Sequence, residues 1–126
     1  MQKFNRILLI DDDEASNYLS CEVISDLDAA NEIETAQNGF DACKLIKQER
    51  CPDIIFLDIR MPRMDGFAFL ENLRKIGVCE HVKVVMLTSS VRKEEKDRAF
   101  SYKWVVDYFE KPLTEEIVQK VVAEHF

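Results

Sequence analysis

Residues 52–67 read PDIIFLDIRMPRMDGF. The run Ile54–Leu57 is apolar at every position, so a strand there is covered on both faces, as strands inside a parallel sheet are. It closes on Asp58, and Arg60, Met61 and Pro62 follow. A carboxylate therefore stands where the core ends and solvent begins. Ile7–Ile10 and Val82–Leu87 are runs of the same kind. Ile33–Ala36 and Val105–Phe109 are weaker and more polar, as edge strands would be.

Helical periods separate these runs. Ala15, Leu19, Val23 and Leu27 recur at four-residue steps, and Ala42, Leu45 and Ile46 form a second stripe. Phe69, Leu73 and Ile76 form a third, with Gly77 as its C-cap. The segment Val91–Tyr102 is helical by propensity but nearly all charge, so it is expected to be the least firmly packed helix. Ile117, Val118, Val121 and Val122 mark the last helix, with Thr114 as N-cap and Glu115 and Glu116 favouring its dipole. The order β-α-β-α-β-α-β-α-β-α predicts an α/β domain, a doubly wound parallel five-stranded sheet with helices on both faces. The flavodoxin-like (βα)5 order 2-1-3-4-5 is the common solution, and it puts strands 1 and 3 at the switch point where ligands bind.

The 126 residues are of single-domain length. A net charge of -7 argues against nonspecific nucleic-acid binding. The short apolar run near the N-terminus is neither a signal peptide nor a membrane span, so a cytoplasmic protein without membrane insertion is expected. Cys21, Cys43, Cys51 and Cys79 lack metal-ligand spacing and read as reduced thiols serving as small hydrophobes. The last helix reaches Phe126, which reads as one domain over residues 1–126 with no output domain.

The polar groups that end the apolar runs carry the chemistry. Asp11 and Asp12 follow the first strand, Asp58 the third and Thr88 the fourth, while Tyr108 and Lys111 lie in or after the fifth. All would converge on the carboxyl edge of the sheet. Clustered carboxylates repel unless a cation sits among them, and carboxylate oxygens with water and phosphate suit magnesium. Asp13 and Glu14 read as acids of a first helical turn. Thr88 alone could be a strand-end cap, and Lys111 alone a surface lysine before a turn.

Four motifs occur in order: IDDDEAS (10–16), PDIIFLDIRMPRMDGF (52–67), VVMLTSS (84–90) and DYFEKP (107–112). Together they resemble the response regulator receiver domain, the phospho-acceptor module of two-component phosphorelay signalling. The resemblance spans the chain and is similar in scale to stand-alone chemotaxis regulators. It implies that Asp58 accepts a phosphoryl group from a sensor histidine kinase or a histidine phosphotransfer protein. Asp11 and Asp12, with Asp58 and the backbone carbonyl of Arg60, would hold Mg2+ or Mn2+. Thr88 would hydrogen-bond the phosphoryl oxygens and Lys111 would pair with them, its bond to Pro112 being cis. Thr88 and Tyr108 would form the switch that remodels the face of helix 4, strand 5 and helix 5 toward a downstream protein. Arg60 and Ser90 would tune phosphoryl lifetime, Arg60 either hindering water or pairing with the phosphate, unless it is simply a solvated arginine. Such a protein is no enzyme beyond its own phosphorylation and dephosphorylation.

One departure is Trp104, where the family usually has a small residue before strand 5; it caps the core or anchors a partner. Two competing functions stand beside the receiver. A docking module would use the fold without phosphorylation. A haloacid-dehalogenase-type phosphatase would use Asp11 as nucleophile, and Asp13 completes its DxD, but Ala15 fails the last position of that motif.

Overall fold

The computed structural model describes residues 2–48 and 50–126. Strands and helices alternate as β1 (Phe4–Ile10), α1 (Glu14–Asp26), β2 (Ala30–Ala36), α2 (Gly39–Lys47), β3 (Ile54–Leu57), α3 (Gly66–Ile76), β4 (Lys83–Thr88), α4 (Lys93–Phe100), β5 (Val105–Glu110) and α5 (Glu115–His125). All pairings are parallel, in the order β2-β1-β3-β4-β5. The two more polar runs are the edge strands, and the three apolar ones are central. Alternate residues of β1 feed two cores. Leu8 and Ile10 join Phe69, Leu70 and Leu73 of α3, and Ile7 and Leu9 join Ile24 of α1 with Val118 and Val122 of α5. Helices thus cover both faces.

Caps fix the helix boundaries. Asp13 accepts from the N–H groups of Ala15 and Ser16, Asp65 from that of Ala68 and Thr114 from that of Ile117. Gly77 ends α3 in the left-handed region at φ 73°. The charged α4 is shorter than its propensity suggested, buries only Ala99 and begins at Arg92 with no side-chain cap.

Two expectations are corrected, and one open alternative is decided. Only half of the four-residue stripe chosen for α1 faces inward: Val23 and Leu27 pack partly buried against the core, Ala15 and Leu19 are exposed, and Asn17, Ser20 and Ile24 are the buried residues. The polar pair Asn17 and Ser20 hides this face from a hydropathy pattern. Trp104 is 7 % exposed and packs in the core, so its side chain is no free partner anchor. Cys51 and Cys79 are joined in a disulfide, their Cα atoms 5.4 Å apart. Parallel register explains this pairing. Ile54 lies opposite Lys83, so the loops leading into β3 and β4 run side by side, although 28 residues separate the two cysteines. Cys43 is buried and free and Cys21 is half-buried and free; burial pushes both thiols up.

Candidate functional site at the carboxyl edge of the sheet

Ile10 pairs with Leu57, so Asp11 and Asp58 leave adjacent strands at the same level. Backbone bonds hold them there: the Asp58 N–H donates to the Ile10 carbonyl (3.0 Å) and the Asp11 N–H to the Ala36 carbonyl (3.1 Å). The chain leaves β1 and β3 toward opposite faces, which opens the crevice between them. Both carboxylates are buried at 6 % exposure, while Asp12 is exposed. Oxygens of Asp11, Asp12 and Asp58 lie within 4.8 Å of one another. Beside them opens a cleft of about 410 Å³ whose walls include Asp12, Arg60, Met61, Pro62 and Glu95.

Lys111 enters this cluster from beyond β5. Its Nζ lies 2.5 Å from Asp11 Oδ2 and 3.1 Å from Asp58 Oδ2. Its own N–H donates to the Thr88 carbonyl (3.0 Å), and the Lys111–Pro112 bond is cis. Desolvation raises the Asp58 pKa, and the negative charge of Asp11 adds to this; the Lys111 contact and the Ile59 N–H (2.8 Å to Asp58 Oδ1) oppose it. Burial alone would depress the Lys111 ammonium, but its bonds to Asp11 and Asp58 outweigh that and raise it. The three carboxylates have one close ammonium among them. That excess of negative charge, with one acid exposed to solvent, suits a hard divalent cation with oxygen ligands.

Thr88 is fully buried, and its hydroxyl oxygen accepts from the Ser90 N–H at 3.2 Å. The Tyr108 hydroxyl donates to the Ser90 carbonyl at 2.8 Å, tying β5 to the loop after β4. Burial raises the Tyr108 pKa, and the neighbouring Glu95 charge raises it further. The Arg60 guanidinium pairs with Glu95 of α4 at 3.5 Å. Glu95 also accepts from the Ser90 hydroxyl. Glu95 thus joins Arg60 and Ser90, the two residues expected to tune phosphoryl lifetime, and it was missed because these contacts bring α4 against two separate loops.

Two further positioning residues were missed. Asn17 donates from Nδ2 to the Asp11 carbonyl at 2.9 Å, which accounts for a polar residue on the inner face of α1. Gly66 abuts Asp58: a Cβ there would lie 2.5 Å from the Asp58 carbonyl oxygen. The pair Asp65-Gly66 after the apolar run was the available signal. Asp13, needed by the DxD reading, is occupied as the α1 cap.

A second group, Asp107, Glu124 and His125, joins the middle of β5 to the C-terminal end of α5. There His125 Nε2 is 3.1 Å from Asp107 Oδ2, an ion pair remote from the acid crevice when the imidazole is protonated.

The chain is 31% identical over 121 residues to the transcription factor SKN7 of Chaetomium thermophilum, covering 95% of this chain but 15% of that protein. It is 29% identical over 118 residues to the protein PilH of Pseudomonas aeruginosa, covering 93% of each. A two component response regulator from Cytophaga hutchinsonii superposes with a TM-score of 0.88 at 28% identity, over 97% of this chain and 96% of that one. The five-stranded parallel sheet of order 2-1-3-4-5 with its five helices is thus a shared fold. With the sequence model described as the response regulator receiver domain matching residues 7–123, the chain belongs to that family.

Proposed function

We propose that Asp58 is the phosphoryl acceptor of this receiver domain. The observation that carries the assignment is the position of its carboxylate. It is buried at the end of β3, shares the Lys111 ammonium with Asp11, and lies within reach of the Thr88 loop. Asp11, Asp12 and Asp58, with the Arg60 carbonyl, would hold magnesium or manganese, which when bound neutralises charge on the phosphoryl oxygens.

An Asp58 carboxylate oxygen attacks the phosphorus of a donor phosphoramidate in line. The new O–P bond forms as the P–N bond breaks, and the nitrogen takes a proton as it leaves. Little covalent work falls to the protein, so the surrounding residues act by position and charge. Lys111 exchanges its contact with Asp58 Oδ2 for a phosphoryl oxygen and keeps its contact with Asp11. The Thr88 hydroxyl turns from the Ser90 N–H toward the phosphoryl group and draws the loop after β4 with it. Tyr108, bonded to the Ser90 carbonyl, follows that loop, and α4 offers little buried surface to resist the change. Water later attacks the acyl phosphate, so the mark is temporary.

Receiver domains serve histidine kinases and downstream proteins. The donor for this chain is proposed to be a sensor histidine kinase or a histidine phosphotransfer protein, and its output a protein that reads the α4–β5–α5 face. The domain's chemistry is confined to its own aspartate. No helix among the described residues is long and apolar enough to cross a membrane.

The test is intact mass after incubation with acetyl phosphate, with and without magnesium, beside Asp58→Asn. A gain of one phosphoryl group that requires both Asp58 and magnesium supports the proposal. A gain that survives Asp58→Asn assigns another nucleophile. No gain under conditions that load a control receiver favours a phosphorylation-independent docking module.

A further inference from the structure

The foot of the sheet, opposite the acid crevice, carries chemistry that phosphoryl transfer does not use. The loops leading into β3 and β4 are bonded through Cys51 and Cys79. This pair lies in an open cleft of about 420 Å³, whose walls also include Asp53, Glu80 and His81. Cys51 is exposed and Cys79 is half-buried, so the sulfurs are not sealed in the core. Cys79 has φ 60°, a left-handed backbone that a residue with a side chain rarely adopts. Val78 and Cys79 pack only partly buried against the core. The bond is therefore reachable by a small thiol. Its opening would release a local segment rather than expose the central strands.

We propose that Cys51–Cys79 is a thiol–disulfide exchange site, taking glutathione-class thiols as its substrate and acting as a reversible clamp on the feet of β3 and β4. Cys51, the more exposed residue of the pair, is the point of attack. A thiolate of the reductant bonds to it, the Cys51–Cys79 bond breaks, and Cys79 leaves as a thiolate that takes a proton. A second reductant thiol then attacks the mixed disulfide. It releases Cys51 as a thiol and carries away an oxidised reductant, so two electrons and two protons enter the pair. Persisting disulfides are rare in reducing compartments, where those that occur tend to be transient or redox-sensing. The other two thiols do not compete: Cys43 is buried, Cys21 lies on α1, and burial holds both toward the protonated form. The proposal stands on the foot of the sheet and does not depend on the assignment of Asp58.

The full chain is equilibrated in graded mixtures of reduced and oxidised glutathione without denaturant. It is quenched in acid, then unfolded and tagged with a maleimide, and its intact mass is read. Of the four cysteines, two are free when the bond is closed, so the expected count passes from two tags to four as the mixture becomes reducing. The melting temperature falls by several degrees over the same mixtures, and both changes reverse on reoxidation. Cys51→Ser shows no such melting transition. Two tags persisting in the most reducing mixture until denaturant is added would overturn the proposal in favour of a fixed structural bond. Four tags persisting in the most oxidising mixture would overturn it by showing that the bond does not form.

Discussion

Gly66 is pressed against the backbone of Asp58. A methyl group at Gly66 would lie 2.5 Å from the Asp58 carbonyl oxygen and 3.0 Å from the Ile59 Cα. The Gly66 N–H also donates to the Ile59 carbonyl at 2.8 Å, so helix α3 begins directly on the segment that follows β3. Backbone cannot move aside as a flexible side chain would.

Gly66→Ala should therefore displace either the start of α3 or the loop that carries Asp58. The expected loss is about 1–3 kcal/mol, as for other overpacked sites, with slower phosphoryl uptake from acetyl phosphate. Gly77→Ala is the control. Nothing lies within 4 Å of a Cβ there, but its φ of 73° disfavours a side chain. It should lose about 1–2 kcal/mol without changing uptake. Equal uptake in wild type and Gly66→Ala would show that the contact does not position Asp58 for phosphoryl transfer.

Lys111→Met removes the ammonium that Asp11 and Asp58 share at 2.5 and 3.1 Å. Two buried carboxylates are left facing each other without their cation. Breaking a fully buried pair destabilises by about 3–5 kcal/mol, and the partial exposure of Lys111 brings this to about 2 kcal/mol. Magnesium should restore more stability to this variant than to wild type, because the ion takes over part of the lost neutralisation. Denaturant unfolding with and without magnesium reads both effects. A variant as stable as wild type would mean that the acids are not strained by their proximity.

Asp58→Asn should act in the opposite direction. Desolvation raises the Asp58 pKa above its ordinary 3.8, so the folded state holds this proton more tightly than the unfolded chain does. The contribution of Asp58 to stability is then fully present below the unfolded value. It is lost as pH rises through the raised folded value. An amide in its place keeps an acceptor for the Ile59 N–H and carries no charge. Asp58→Asn without metal should be about 1 kcal/mol more stable than wild type near neutral pH. The gap should close as pH falls toward the ordinary carboxylate range. A gap that widens on acidification would reverse the sign of the shift.

The parts of this site that were legible in the sequence are those fixed by strand ends. Ile7–Ile10, Ile54–Leu57 and most of Lys83–Thr88 are apolar on both faces, so their order and depth could be read directly, and with them the convergence of Asp11, Asp58 and Thr88. The inner face of α1 could not, because Asn17 is buried to bond the Asp11 carbonyl and a hydropathy stripe rejects it. Cys51 and Cys79 were unreadable for a different reason. Their meeting is a consequence of the β3–β4 register, which no local spacing encodes. Glu95 likewise acquires its meaning only when α4 packs beside the loop that carries Arg60.

That last contact gives a prediction about phosphoryl lifetime. Glu95 holds the Arg60 guanidinium at 3.5 Å and accepts from the Ser90 hydroxyl, so one carboxylate restrains both residues proposed to tune phosphoryl lifetime. Arg60 is 60% exposed, and an exposed pair contributes little to stability, about 0.2–1 kcal/mol. Its release matters more for the chemistry. In Glu95→Ala the guanidinium is free to turn toward the phosphoryl oxygens, where it would pair with them and obstruct the attacking water. The acyl phosphate should then survive about 2–5-fold longer, the factor that corresponds to an exchange of exposed charge pairs. Decay of the phosphorylated mass after removal of acetyl phosphate measures this. Arg60→Ala combined with Glu95→Ala should return the lifetime toward that of Arg60→Ala alone, whereas an additive result would place the effect of Glu95 on Ser90 instead.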